Sequence, residues 1–244
     1  MAGQFAETSP RLRARTAGAL YLITIAAGVF AEVFVRGAVL VRDAAAATSA
    51  NILARETLYR LGLAADLVML LCYVAVTLLF YDLFRPAGRG VSLLAAFFSM
   101  VGIAVLAVNS LNHLAPLLLL GGQQYLGAFD TDQLQALALL SLRMHARGYT
   151  VSGVFFGIYM LLLGYLIYRS GFLPRVLGAL MALGGLSFLA NSFAVILLPA
   201  LVARLPDAAM LGGVAELALS LWLLARGVNV PVWEERASTR IKES

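Results

Sequence analysis

The chain has 244 residues, of which 61% are hydrophobic and 13% are charged, and its formal net charge is +5. Soluble domains normally contain about 45–50% apolar and about 25% charged residues, so this composition excludes an ordinary soluble domain and indicates a polytopic membrane protein. The basic residues stand in short clusters beside apolar runs, which is typical of membrane orientation and not of a patch that binds nucleic acid. The one cysteine, Cys72, excludes an intramolecular disulfide and a cysteine-based metal site.

The sequence predicts an all-α bundle of six transmembrane helices, because roughly 20 apolar residues are enough to cross the hydrocarbon core. The first apolar run follows three arginines and resembles a signal peptide, but further apolar runs and no secreted domain follow it, so we expect an uncleaved span. We expect residues 1–244 to form a single membrane domain with flexible ends at 1–15 and 228–244. The six spans are predicted at residues 16–35, 58–84, 91–120, 149–168, 176–199 and 209–226.

Two further helices are predicted in the outer connections. Asp43 precedes an alanine-rich segment, and we expect its carboxylate to cap a short helix that lies at the membrane surface. Asp130 and Gln133 have the spacing of a capping box at the start of a second helix. No proline separates this helix from the fourth span, so the sequence allows either a separate surface helix or one helix that continues through Gly148.

Two of the spans carry residues that predict contacts with other helices. Asn109, Asn112 and His113 lie three or four residues apart in an uncharged run, so they share one side of the third span. That side has to face protein or water, because lipid offers polar groups no hydrogen-bonding partner. Small residues share one side of the fourth span and predict close helix packing: Gly153, Gly157 and Gly164.

The distribution of basic residues predicts the orientation of the chain. Six spans place both termini on the same side of the membrane. With both termini in the cytoplasm, most of the 18 basic residues fall on the cytoplasmic side, including those in the tight turns at 85–89 and 169–175. In this orientation the polar residues of five spans lie in the outer half of the membrane.

These polar residues predict a shared pocket that opens to the exterior. A charged side chain that faces lipid at the centre of a helix costs roughly 2.5 to 3.5 kcal/mol on insertion scales, so we expect the carboxylates to gather inside the bundle. Counter-charges at the rim are predicted from Arg36, Arg60, Arg143 and His145. The predicted pocket consists of Glu32, Asp66, Asn109, Asn112, His113, Asn191 and Glu216.

Each polar residue also has a structural interpretation. Glu32 can pair with Arg36 four residues on, and Asp66 with an arginine such as Arg60. The asparagines can form interhelical hydrogen bonds, which are worth on average about 0.6 kcal/mol each. Glu216 has no basic residue nearby on its own helix, so it needs a partner from another element or a proton.

The first functional hypothesis is a membrane protein whose outer pocket binds a small ligand, an ion or a lipid headgroup, as a transporter, sensor or accessory subunit. The alternatives are an intramembrane enzyme that uses the carboxylates and His113, with or without a metal ion, and a structural membrane protein. The chain has two histidines and no HExxH or GxSxG motif, so we expect no metal site, no catalytic residue and no cofactor. The expected partners are the lipid bilayer and such a ligand, and no nucleic acid.

Several segments resemble a bacterial membrane family, catalogued as domain of unknown function 4386, in the same order over nearly the whole chain. The resemblance implies a multi-span protein of the bacterial cytoplasmic (inner) membrane and supplies neither a reaction nor site residues. The segments that carry it are GALYLITIAAGVFAE (18–32), RDAAAATSANILA (42–54), LYRLGLAADL (58–67), RSGFLPRVLG (169–178) and AELALSLWLLARG (215–227).

Overall fold

A computed structural model of the chain describes residues 9–198, 200 and 210–242. The regular elements of this part are helical, which confirms the predicted all-α class. The helices are α1 (Pro10–Val39, with a π-helical segment at Phe30–Arg36), α2 (Ala45–Ala54), α3 (Glu56–Phe84), α4 (Arg89–Leu120), α5 (Thr131–Ser170), α6 (Arg175–Leu197), α7 (Met210–Ala225) and α8 (Val230–Lys242).

Five of these helices, α1 and α3 to α6, are long and apolar enough to cross a membrane. Helices α7 and α8 meet at a bend of 99° and add a sixth crossing if they count as one span. The chain is therefore a multi-pass membrane protein. At about 1.5 Å per residue, α5 is about 60 Å long, twice the thickness of a hydrocarbon core of about 30 Å. The helix predicted from Thr131 thus continues without a break into the fourth span.

Both predicted flexible ends contain helix where the structure describes them. Ser9 accepts a hydrogen bond at Oγ from the Leu12 N–H at 3.2 Å, and Pro10 occupies the first helical position, where proline is favoured. At the other end, the Trp233 indole N–H donates to the Leu83 carbonyl at 2.8 Å and fastens α8. The described residues do not include 1–8 and 243–244 of these ends. They also do not include 199 and 209, at the edges of two predicted spans.

The two predicted helix starts have different outcomes. The capping box is confirmed, since the Gln133 N–H donates to Asp130 Oδ1 at 2.8 Å and the Asp130 N–H to Gln133 Oε1 at 3.0 Å. The prediction that Asp43 caps α2 is wrong. The residue before that helix is Ala44, without a side-chain cap, and the Asp43 carboxylate instead accepts a hydrogen bond from Arg143. Asp43 thus lies one position before the N-cap of α2.

The chain divides into two compact units, and four of the long helices contribute one segment to each. The first unit combines the described residues of Met1–Ile23, Cys72–Ile103 and Ser152–Ser244. The second unit consists of Thr24–Leu71 and Ala104–Val151.

In the first unit, glycines bring α5 and α6 into backbone contact. A Cβ placed on Gly164 would lie 2.6 Å from the Gly178 carbonyl oxygen, and one on Gly185 would lie 2.6 Å from the Gly157 carbonyl oxygen. Neither distance can accommodate a side chain. The close packing predicted for the small residues of the fourth span is therefore confirmed at Gly157 and Gly164.

In the second unit, an apolar core joins the short helix α2 to α1, α3, α4 and α5. Its buried members are Val35, Val39, Ile52, Tyr59, Leu117 and Leu142. Gly62 permits this packing, because a Cβ there would lie 2.7 Å from Val35 Cγ1. The core fixes the segments of α1, α3, α4 and α5 that carry most of the predicted polar residues.

Candidate functional site

Arg36 is the centre of a buried ionic network in the second unit, and its side chain is only 8% exposed. Its Nη1 donates to Asp66 Oδ2 at 2.6 Å, and its Nη2 lies 3.3 Å from Asp66 Oδ1. Its Nε donates to Glu32 Oε2 at 2.7 Å. The guanidinium therefore connects a carboxylate that is 67% exposed to one that is 2% exposed.

The backbone of α1 widens where it supplies Arg36. The segment Phe30–Arg36 is π-helical, and the Gly37 N–H donates to the Glu32 carbonyl five residues earlier. π-Helical turns are rare in proteins, and those that do occur are often found at functional sites. The wider turn changes the register of Arg36 on α1, and the guanidinium lies inside the second unit instead of at the rim, where the sequence predicted it.

His113 lies against the same ion pair and is completely buried. Its Nδ1 is 3.1 Å from Arg36 Nη1 and 3.3 Å from Asp66 Oδ2, and its Nε2 is 3.2 Å from the Tyr59 carbonyl oxygen. A guanidinium can only donate, so Nδ1 accepts and the Nε2–H donates to the carbonyl. The Tyr59 hydroxyl returns a hydrogen bond to the His113 carbonyl at 2.7 Å, which fixes both rings.

A second histidine, His145 on α5, is 2% exposed and is held by Asn109. Its Nδ1–H donates to the Asn109 carbonyl at 3.1 Å, and Asn109 Nδ2 donates to the His145 carbonyl at 2.8 Å. Asn112 Nδ2 donates to Asn109 Oδ1 at 3.0 Å. Gly148 leaves room for this amide, because a Cβ there would overlap the Asn109 side chain.

Tyr149 completes the group, which we call the Arg36 cluster: Glu32, Arg36, Asp66, His113, His145 and Tyr149. The Tyr149 hydroxyl lies 3.3 Å from Asp66 Oδ1, and its ring centroid lies 5.7 Å from the Arg36 guanidinium carbon, within cation–π range. The two carboxylates and one guanidinium give the cluster one excess negative charge when the histidines are neutral. Chemically, the arrangement suits a proton or a cation.

The seven predicted pocket residues are divided between the two units. Five lie in the second unit, where Asp66 and His113 are in contact, Glu32 joins them through Arg36, and Asn109 contacts Asn112. The two in the first unit are Asn191 and Glu216, so a pocket shared by all seven stays a prediction.

The predicted counter-charges also differ in their partners. Arg36 pairs with Glu32, as the structural interpretation proposed, and it is also the partner of Asp66. Arg60 instead pairs with Glu56 at the surface.

In the first unit, Glu216 has two phenolic partners. Its Oε1 accepts hydrogen bonds from the Tyr21 hydroxyl at 2.7 Å and the Tyr73 hydroxyl at 3.1 Å. The Tyr73 ring stacks on Phe156 with centroids 4.8 Å apart. Partners from other helices, as the sequence required, thus stabilise this carboxylate.

Replacing Tyr21 by phenylalanine removes the shorter of these two hydrogen bonds. We expect a loss of about 1–2 kcal/mol in the free energy of unfolding, because Tyr73 remains as a donor to Glu216. Denaturation of the purified variant in detergent measures the loss. Tyr165→Phe is the matched control, since its hydroxyl accepts from Arg169 at an exposed position. Equal losses in the two variants would contradict the assignment.

Sequence reasoning missed the tyrosines of the second unit. Tyr59 lies seven residues before Asp66, and Tyr149 lies four residues after His145, so helical spacing places each on the side of a residue already singled out. This signal was present but weak. His145 was predicted only at the rim, because its burial depends on α5 being one continuous helix.

Comparisons with known proteins identify relatives but no activity. An "Uncharacterized protein" of Archaeoglobus fulgidus is 28% identical over 117 residues, which cover 48% of this chain and 56% of the relative. The aligned region thus spans about half the length of that protein. No solved structure matches the chain significantly. The family described as "Domain of unknown function (DUF4386)" matches residues 16–227, which is most of the sequence, and the chain therefore belongs to this family.

Proposed function

We propose that this protein binds a small ion, polar ligand or lipid headgroup at the Arg36 cluster, as a transporter, sensor or accessory subunit in a membrane. One observation carries the proposal. Arg36 connects the exposed Glu32 carboxylate directly to the buried Asp66 and His113. A ligand that reaches Glu32 can therefore change the interactions of the buried groups.

The energetics of buried ion pairs support a role for Arg36 and Asp66 beyond helix packing. Buried ion pairs can often be replaced by apolar side chains without loss of stability, so a fold alone does not require Arg36 and Asp66. Ionisable residues within membrane spans typically mark ligand or ion pathways. The excess negative charge of the cluster favours a cation as the ligand.

The proposal includes an orientation. Both termini lie in the cytoplasm of a bacterial cell, the chain crosses the cytoplasmic (inner) membrane, and the Arg36 cluster opens to the exterior. The basic turns at 85–89 and 169–175 support this orientation.

Cysteine labelling tests the orientation, because Cys72 is the one native cysteine. In a Cys72→Ser background, Glu32→Cys should react with a membrane-impermeant maleimide added to intact cells. Glu235→Cys, exposed on α8, should react only after permeabilisation. The opposite pattern would overturn the proposed orientation.

A second pair of variants tests whether water reaches the cluster. Asn112 lies beside the cluster and is half-buried, whereas the next residue, Leu111, is 64% exposed on the helix surface at the same depth. A charged thiosulfonate reagent reacts with thiols in water and not in lipid. We expect Asn112→Cys to be labelled from the exterior and Leu111→Cys to remain unlabelled. An unreactive Asn112→Cys would contradict a water-accessible site.

A further inference from the structure

We infer that the Arg36 cluster contains a binding site for a divalent transition-metal ion, with Asp66, His113 and His145 as its three protein donors. This inference rests on the proposed function and names its ligand class. The candidate donor atoms of the three residues lie within 4.8 Å of one another, and all three residues are buried. The sequence predicted no metal site, because the two histidines lie 32 positions apart without a recognisable motif.

Both histidines are oriented as metal ligands usually are. A ligating histidine almost always donates its other ring N–H to a carbonyl, a carboxylate or water. His113 Nε2 lies against the Tyr59 carbonyl and His145 Nδ1 against the Asn109 carbonyl. His113 Nδ1, which accepts a hydrogen bond from Arg36, and His145 Nε2 are thus the two nitrogens left to coordinate a metal ion.

The second nitrogen of His145 gives independent support. His145 Nε2 is buried and has no hydrogen-bond partner among the described residues. A buried polar atom without a partner costs about 1–3 kcal/mol, so native proteins rarely leave one. A metal ion coordinated by Nε2 would satisfy this atom.

The distances are compatible with zinc. Zinc binds nitrogen and carboxylate oxygen at about 2.0–2.2 Å, so tetrahedral donors lie about 3.4 Å apart. Asp66 Oδ2 and His113 Nδ1 already lie 3.3 Å apart. A donor atom of His145 lies within 4.8 Å of both and has to come closer to join them. Three protein donors leave a fourth position open for water or another ligand, as in catalytic zinc sites.

Arg36 competes with the metal for the same two atoms. Its Nη1 lies 2.6 Å from Asp66 Oδ2 and 3.1 Å from His113 Nδ1, so a guanidinium and a metal ion cannot occupy this position together. Arg36 also has an exposed partner, Glu32, which can retain it after displacement. Metal binding is therefore predicted to exchange one cation for another at Asp66.

Zinc binding to the purified, chelator-treated full chain tests the inference by calorimetry and elemental analysis. We expect one zinc per chain in the wild type, and no comparable binding of calcium, which prefers oxygen ligands. His145→Gln should weaken zinc binding by more than about 100-fold, because a second-shell change alone costs about 10- to 100-fold. Arg36→Met should strengthen it by about tenfold or more, because no guanidinium has to be displaced.

Thermal stability provides a second measurement, because Arg36→Met leaves Asp66 without a counter-charge and can impair folding. Zinc should raise the Tm of Arg36→Met and should not raise that of the Arg36→Met/His145→Gln double variant. Substoichiometric zinc in both the wild type and Arg36→Met, or equal affinity in His145→Gln, would overturn the metal site. If Asn112→Cys is nevertheless labelled from the exterior, only the metal assignment fails and the proposed function stands.

Discussion

Asp66→Asn is expected to destabilise the protein by about 3–5 kcal/mol, because it leaves the Arg36 guanidinium buried without its closest carboxylate. The remaining partner, Glu32, is exposed, so it compensates the buried guanidinium less than Asp66 does. Unfolding of the purified variant in mixed detergent micelles measures the loss.

The matched control is Glu56→Gln, which breaks an ion pair on the surface of the same unit. Arg60 and Glu56 are 60% and 46% exposed, and exposed pairs contribute about 1 kcal/mol or less. Added salt should weaken this surface pair further and should leave the effect of Asp66→Asn unchanged. A loss below about 1 kcal/mol for Asp66→Asn would show that the buried Arg36 guanidinium does not need Asp66 as its counter-charge.

Gly164→Leu is expected to cost about 3 kcal/mol or more, because a side chain at this position meets backbone. Even a Cβ would lie 2.6 Å from the Gly178 carbonyl oxygen and 2.8 Å from the Ala182 nitrogen. Backbone atoms cannot change rotamer, so α5 and α6 would have to separate and lose their packing. The Tm of the purified variant measures the effect.

Gly213→Leu is the control for this prediction. A Cβ on Gly213 would meet nothing within 4 Å, and leucine has a higher helix propensity than glycine. We therefore expect its Tm to be unchanged or slightly raised. A similar fall in Tm for the two variants would rule out the backbone contact as the cause.

The sequence predicted the fold well where the physical constraint was strong. Long apolar runs have few alternatives to membrane-spanning helices, and the α-helical bundle and the glycine contact at Gly164 followed from them. The cap at Asp43 failed because the helix begins one position too late for it: Ala44 is the residue before α2, and Asp43 has a positive φ of 58°. Whether α5 was continuous could not be decided, because no residue near Gly148 forbids either conformation.

The sequence predicted only those residues of the candidate site that have a strong physical constraint of their own. Asp66 and His113 were predicted because lipid offers their side chains no hydrogen-bonding partner, which is true whatever their partners in the protein are. Arg36 was assigned to the rim, because no sequence pattern indicates a π-helical turn. The sequence does not indicate a partner for His145, because its contact with His113 forms only where α4 and α5 pack together.

Both proposals depend on Arg36 and Asp66 being each other's counter-charge in a buried site. A double-mutant cycle with Arg36→Met and Asp66→Leu, measured as free energies of unfolding in the presence of a chelator, tests this claim most directly. We predict that the double variant is more stable than either single variant, with a coupling of at least about 2 kcal/mol. Two independent losses that simply add in the double variant would contradict it.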